Sequence, residues 1–123
     1  MARKLVSVQY VHDIYPIEGA DRIECIGVLG WQCVAKKGEF RVGDLCVYFE
    51  IDSFLPQDER FAFLSQANLR HNDLLGDGYH LRTQRFRGQL SQGLALPLSI
   101  LPEGDWKTGD NVTEILGVRQ WEI

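Results

Sequence analysis

Apolar and β-branched residues recur in short runs broken by glycine about every ten positions, as in LVSVQYV, IECIGVLGWQCVA, LCVYFEI and LALPLSI. That spacing predicts a small barrel or sandwich, with strands at about 4–14, 22–29, 31–37, 44–51, 79–87 and 90–97 and a short one near 112–116. Leu29-Gly30-Trp31 reads as a tight hairpin, with Gly30 expected to supply the positive φ. RVGDLCV and KTGDNVT both place Gly-Asp before an apolar strand. Each predicts a turn in which the Asp side chain accepts from nearby backbone amides. The shared outline is too short to make a repeat, and convergent turn chemistry accounts for it.

The long interruption is PQDERFAFLSQANLRHNDLLGDG, residues 56–78. Asp58 is expected to cap one short helix from Glu59 to about Asn68, with Phe61, Leu64 and Ala67 or Asn68 on one face. A helix between the middle strands of a barrel is the usual plug of an OB-fold. The predicted fold is therefore all-β: a closed or partly open OB-like barrel of five to seven strands with one short helix, ahead of an SH3-like barrel.

A chain of 123 residues with 45% hydrophobic content is one domain, 1–123, able to build its own core. No stretch reaches the roughly 18 to 20 apolar residues of a membrane span, and Met1–Tyr10 lacks the apolar core of a signal peptide. The expected location is the cytoplasm, with no membrane partner. Cys25, Cys33 and Cys46 lie inside apolar runs and are expected to be buried reduced thiols. His12, His71 and His80 lack the spacing of a helical zinc site. Glu50 and Asp52 could offer two oxygens to a cation, but a hard-cation site needs more, and an acidic strand exit is the simpler reading. No nucleophile or P-loop motif is present, so catalytic residues are expected to be none, as are metal ligands.

A formal charge of -4 excludes a nonspecific binder that works by overall positive charge, so any nucleic-acid contact must be local. The local candidate is YHLRTQRFRGQLSQGLALP. Strict alternation leaves Phe86 on the polar side of a strand. Phe86 is then either an exposed stacking platform or is returned to the core by a bulge near Gln84 and Arg85, and the bulge is the preferred expectation. Arg82, Arg85 and Arg87 then face outward, as a phosphate-contacting stripe or as a solvated face answered by Glu24 or Glu50. Lys36, Lys37 and Trp31 could join that surface. Gly88 and Gln89 are expected to turn the chain, after which Leu90, Leu94, Leu96 and Leu98 repeat at even positions. Gly93 suggests a bulge or a close backbone approach.

Four blocks, IEGADRIECIGVLGWQCVAKKGEF, VGDLCVYFEIDSFLP, RTQRFRGQLSQGLALPL and VTEILGV, together resemble the N-terminal OB domain of ATP-dependent RNA ligases that seal 3′-hydroxyl to 5′-phosphate ends. The resemblance runs from about residue 3 to residue 118. A smaller one, EGADRI with RFRGQLSQGL, is similar to the tRNA-binding OB domains of some aminoacyl-tRNA synthetases, although Ile17-Glu18-Gly19 departs from the His-Pro that those domains prefer.

The ligase resemblance implies an accessory RNA-binding module that helps engage RNA ends. Its partners would be RNA and a nucleotidyltransferase domain in cis or in trans, whose K-x-D-G lysine takes AMP from ATP with a divalent metal. This chain has no K-x-D-G, so it is not expected to ligate alone and needs no cofactor of its own. Residues 117–123, GVRQWEI, are expected to begin a linker to that domain. The RNA-contacting residues implied are Arg82, Arg85, Arg87, Lys36 and Lys37 for phosphates, with Trp31 and Gln92 for bases or sugars. A tRNA-binding module and a structural or protein-interaction domain are the alternatives.

Overall fold

The computed structural model describes residues 4–64 and 66–122, the side chain of Ala67 excepted. Five strands make one antiparallel sheet in the order β10-β4-β1-β2-β3: β1 (Val6–Pro16), β2 (Ile23–Val28), β3 (Trp31–Lys36), β4 (Leu45–Phe49) and β10 (Leu94–Leu96). The outer strands β3 and β10 approach each other and nearly close a barrel. The residues just before β10 bridge the gap: Gln92 N donates to Gln32 O at 2.7 Å, and Val34 N donates to Ser91 Oγ at 2.9 Å.

The alternation along β1 and β4 explains why both read as near-continuous apolar runs: each is covered on both faces. One face gives Val11, Cys46 and Tyr48 to a cluster with Ile26, Val28, Cys33, Ala35 and Ala95, drawn from all five barrel strands, which is the barrel interior. The other face gives Val6, Val8, Val47 and Phe49 to a second cluster with Leu55, Phe61, Tyr79, Leu81, Val112 and Leu116. A register shift between Val11 and Asp13 bends β1 as it passes from β4 to β2. His12 occupies the bulge, its Nε2 at 2.6 Å from Leu29 O and its Nδ1 at 2.7 Å from Asp13 Oδ2.

The second cluster is covered by a long insertion between β4 and β10. It contains β5 (Ser53–Pro56), β6 (Leu69–Asn72), β7 (Gly76–His80), β8 (Gln84–Phe86) and β9 (Gln89–Ser91). β11 (Arg119–Gln120) adds to β5, giving a four-stranded sheet in the order β11-β5-β7-β6. Trp121 follows it, stacked on the His80 ring at 4.3 Å and 6°, while its N–H donates to Asp52 O. Asp52 Oδ1 pairs with His80 Nε2 at 3.0 Å, so this carboxylate ends a turn against a histidine.

Several expectations change. In place of one helix over 59–68 there are two 3-10 turns, Glu59–Phe61 and Gln66–Asn68. Asp58 caps the first as expected, accepting from Arg60 N at 2.9 Å. Phe61 and Asn68 are buried; Ser65 and the Ala67 side chain lie outside the described residues. The insertion is also not a plug between middle strands, since β3 and β4 are joined by a short turn. Phe61 and Tyr79 of the insertion instead pack with Phe49 of β4 and cover one face of the barrel from outside. Strand 79–87 is broken after His80 and 90–97 around Gly93, β5 and β6 were not expected, and 112–116 forms turns with a single bridge beside it, Ser7 to Asn111. At the first hairpin Leu29 (φ 55°), not Gly30, takes the left-handed conformation.

The two Gly-Asp turns dock on β1 in the same way. Gly43 N donates to Val11 O and Val11 N to Asp44 O, while Gly109 N donates to Val8 O and Val8 N to Asp110 O. Each Asp accepts from a backbone amide three residues back, Arg41 N at 2.9 Å and Lys107 N at 2.8 Å. Gly43 and Gly109 both take φ 95°. The three cysteines are buried and free, and burial pushes the Cys33 and Cys46 thiols up to about 12.

Candidate nucleic-acid interface

The opening strand of the basic stretch ends in a two-residue hairpin. β8 and β9 pair Gln84 with Ser91, Arg85 with Leu90 and Phe86 with Gln89, in unbroken register. Arg87 (φ 49°) and Gly88 (φ 82°) form the turn, one residue earlier than expected, with positive φ at both positions as the right-handed twist of a hairpin favours. No bulge lies near Gln84 or Arg85. With the register regular, Phe86 is not returned to the core and is 39% exposed, which corrects the preferred expectation.

Arg82, Arg85 and Arg87 are all exposed. Arg85 Nη1 donates to Gly88 O at 3.2 Å, a contact within its own hairpin. The Arg87 guanidinium lies over Gly19, 4.0 Å from where a β-carbon would project. Among the described residues no carboxylate forms an ion pair with any of the three. Glu24, one suggested partner, instead accepts from Gly38 N at 3.0 Å.

Beside this hairpin runs a groove between the barrel wall and the insertion. One half encloses about 490 Å³ and is lined by Phe63, Asn68, Arg82, Gln84 and Phe86 among others. The other half, about 670 Å³, reaches Lys36, Glu39 and Arg60. Val34, Phe63, Phe86 and Leu94 belong to both halves, so the groove is continuous. Phe63 is 60% exposed, two residues from fully buried Phe61. Arg60 is already engaged: its guanidinium meets Asp58 at 2.8 and 3.1 Å, which holds the Asp58 carboxyl below its ordinary value.

The structure thus brings Arg82 and Lys36 to one groove and sets Arg85 and Arg87 on the adjoining hairpin. Lys37 is exposed just past β3, its N–H on Arg22 O. Trp31 is half-buried against the barrel interior, and Gln92 uses its backbone, accepting from Tyr48 Oη at 2.5 Å while its N–H closes the barrel. These last three do not line the groove. Phe63 and Asn68 were missed as site residues because both were assigned to a helix that does not form. The usable signal was the pair of aromatics in RFAF, too closely spaced for both to be buried on one helical face. Among the described residues no group of His, Cys, Asp or Glu is arranged to hold a metal ion, and no helix is long and apolar enough to cross a membrane.

This architecture matches known proteins. An OB-fold domain family matches residues 5–98. A structure of the Naegleria gruberi RNA ligase with PPi is 50% identical with a TM-score of 0.91, over 99% of this chain and 36% of that one. A mutant of the same ligase with AMP and Mn is 51% identical with a TM-score of 0.90, over 98% of this chain and 36% of that one. An apo mutant gives 49% identity and 0.91 over 100% of this chain and 37% of that one. The chain therefore spans little more than a third of that ligase's length. Comparison with curated proteins returns no match. With its barrel, its insertion and the match over most of its length, this chain belongs to the OB-fold domain family and is an OB domain of the kind found in the Naegleria RNA ligase.

Proposed function

We propose that this domain is the RNA-binding module of an ATP-dependent RNA ligase, and that it engages RNA ends for sealing by a nucleotidyltransferase domain in cis or in trans. The observation that carries the reading is the groove: two exposed phenyl rings, Phe63 and Phe86, flanked by Arg82 and Lys36, beside a hairpin whose Arg85 and Arg87 have no carboxylate partner among the described residues. A positively charged groove with aromatic platforms is how OB barrels take single strands. Arginine forks suit phosphate oxygens, and a local cluster works even on an acidic chain because screening confines electrostatics to about 8–10 Å. ATP and a divalent metal belong to the nucleotidyltransferase domain. No step of their chemistry is assigned to this chain.

The test is RNA affinity as a function of salt for Arg82→Ala and Arg85→Ala. Each lost phosphate contact should lower the logarithmic salt slope by roughly 0.7 for a single strand. Slopes equal to that of the unchanged chain would give the arginines to solvent or to a protein partner.

A further inference from the structure

We infer that the half of the groove where Phe63 and Phe86 meet Asn68 and Gln84 is a pocket for one unpaired nucleobase, whose edge is read by the amide pair Asn68–Gln84; this rests on the RNA-binding reading above. The two amides are tied together, Gln84 Nε2 donating to Asn68 Oδ1 at 2.8 Å. Asn68 is 7% exposed on the second 3-10 turn, and Gln84 is half-buried at the start of β8. Both line the same space as Phe63, Phe86, Leu81 and Leu94. Once that bond is made, Gln84 keeps Oε1 as an acceptor and one Nε2 proton, and Asn68 keeps its Nδ2 protons and one Oδ1 lone pair.

The pair thus presents donors and acceptors side by side, which a base edge carrying both kinds of group complements. Burial gives such a pair discriminating power, because a wrong edge leaves polar groups unpaired away from water. The phenyl rings supply the sequence-tolerant part by stacking. Arg82 at the rim supplies the charge for the neighbouring phosphate. A base held in a duplex cannot bring both its face and its pairing edge into a groove. The ligand is accordingly an unpaired nucleotide within a strand, at an end, gap or overhang, and a free nucleotide would present the same base with less phosphate contact.

The test measures affinity by fluorescence anisotropy for 12-nucleotide rA, rC, rG and rU strands, for a blunt RNA duplex and for free nucleoside monophosphates. The unchanged chain should prefer single strand to duplex, rank the homopolymers unequally and bind the monophosphates more weakly than strands. Gln84→Leu should flatten the homopolymer ranking while leaving the salt slope unchanged. Phe86→Ala, at an exposed hairpin position that leaves the core intact, should weaken all four strands by roughly 5- to 150-fold, the range that stacking energies imply. RNA binding with Arg82- and Arg85-dependent slopes, but with equal affinity for duplex and no effect of Gln84→Leu or Phe86→Ala, would overturn the base pocket and leave the RNA-binding reading standing. Absence of binding to every RNA would overturn both, and monophosphates bound as tightly as strands would make it a free-nucleotide site instead.

Discussion

The barrel and its insertion use their aromatic residues in opposite ways. Tyr48 and Phe49 on β4 are 1% and 0% exposed, each committed to one of the two apolar clusters. The insertion divides its own: Phe54 and Phe61 are 1% and 0% exposed, whereas Phe63 and Phe86 are 60% and 39% exposed and face the groove. Residues of one type are thus split between the packed core and the open groove. Exposed apolar rings add little to stability, so the two groups should respond differently to truncation.

The sharpest way to break that comparison is stability. Phe61→Ala removes a ring that packs edge-on against Phe49 at 5.8 Å and should cost about 3–5 kcal/mol in urea unfolding. Phe63→Ala should stay within about 0.5 kcal/mol while RNA affinity falls. Equal destabilisation by the two would erase the distinction.

A smaller effect is expected where insertion and barrel rejoin. Gly93 takes φ 87°, and a β-carbon there would run into Phe49 O and the Tyr48 hydroxyl. Gly93→Ala should therefore cost about 1–3 kcal/mol by overpacking, added to its backbone strain. An unchanged unfolding midpoint would mean that the seam yields freely.

The smallest effect separates the regions by pH. The hydrogen bond to Asp13, then that to Leu29 O, raises the His12 pKa above its ordinary 6.5. A raised folded-state value means the protonated ring is favoured by the fold, so its stabilisation is complete below about 6.5 and is lost as pH rises through the raised value. The urea midpoint should thus drop between pH 6 and pH 8.5, and His12→Asn should shrink that drop. RNA affinity should change less over the same range, since no histidine lines the groove. A drop undiminished in His12→Asn would remove this ring from the account.

Much of the barrel was legible. Periodicity located β1 to β4, and the Asp side chains of both Gly-Asp turns bond the amides that turn chemistry requires. The insertion was legible only in outline: its helix is two 3-10 turns, and the OB-like fold was inferred partly from a plug that does not exist. Short segments whose conformation is set by packing on β1 and β4 carry no period of their own. The bulge assigned to β8 failed for a related reason. It assumed that an apolar ring must be buried, and Phe86 is not.

Local chemistry by itself determined β1 to β4, the two Gly-Asp turns and the buried thiols, because alternation and glycine act over a few residues; it left the exposure of Arg82, Arg85 and Arg87 open. Only the tertiary structure decided that Phe63, Asn68, Arg82 and Gln84 share a groove with Phe86. That meeting depends on how the insertion folds back across the barrel. Packing between segments far apart in the chain leaves no periodic trace in either one.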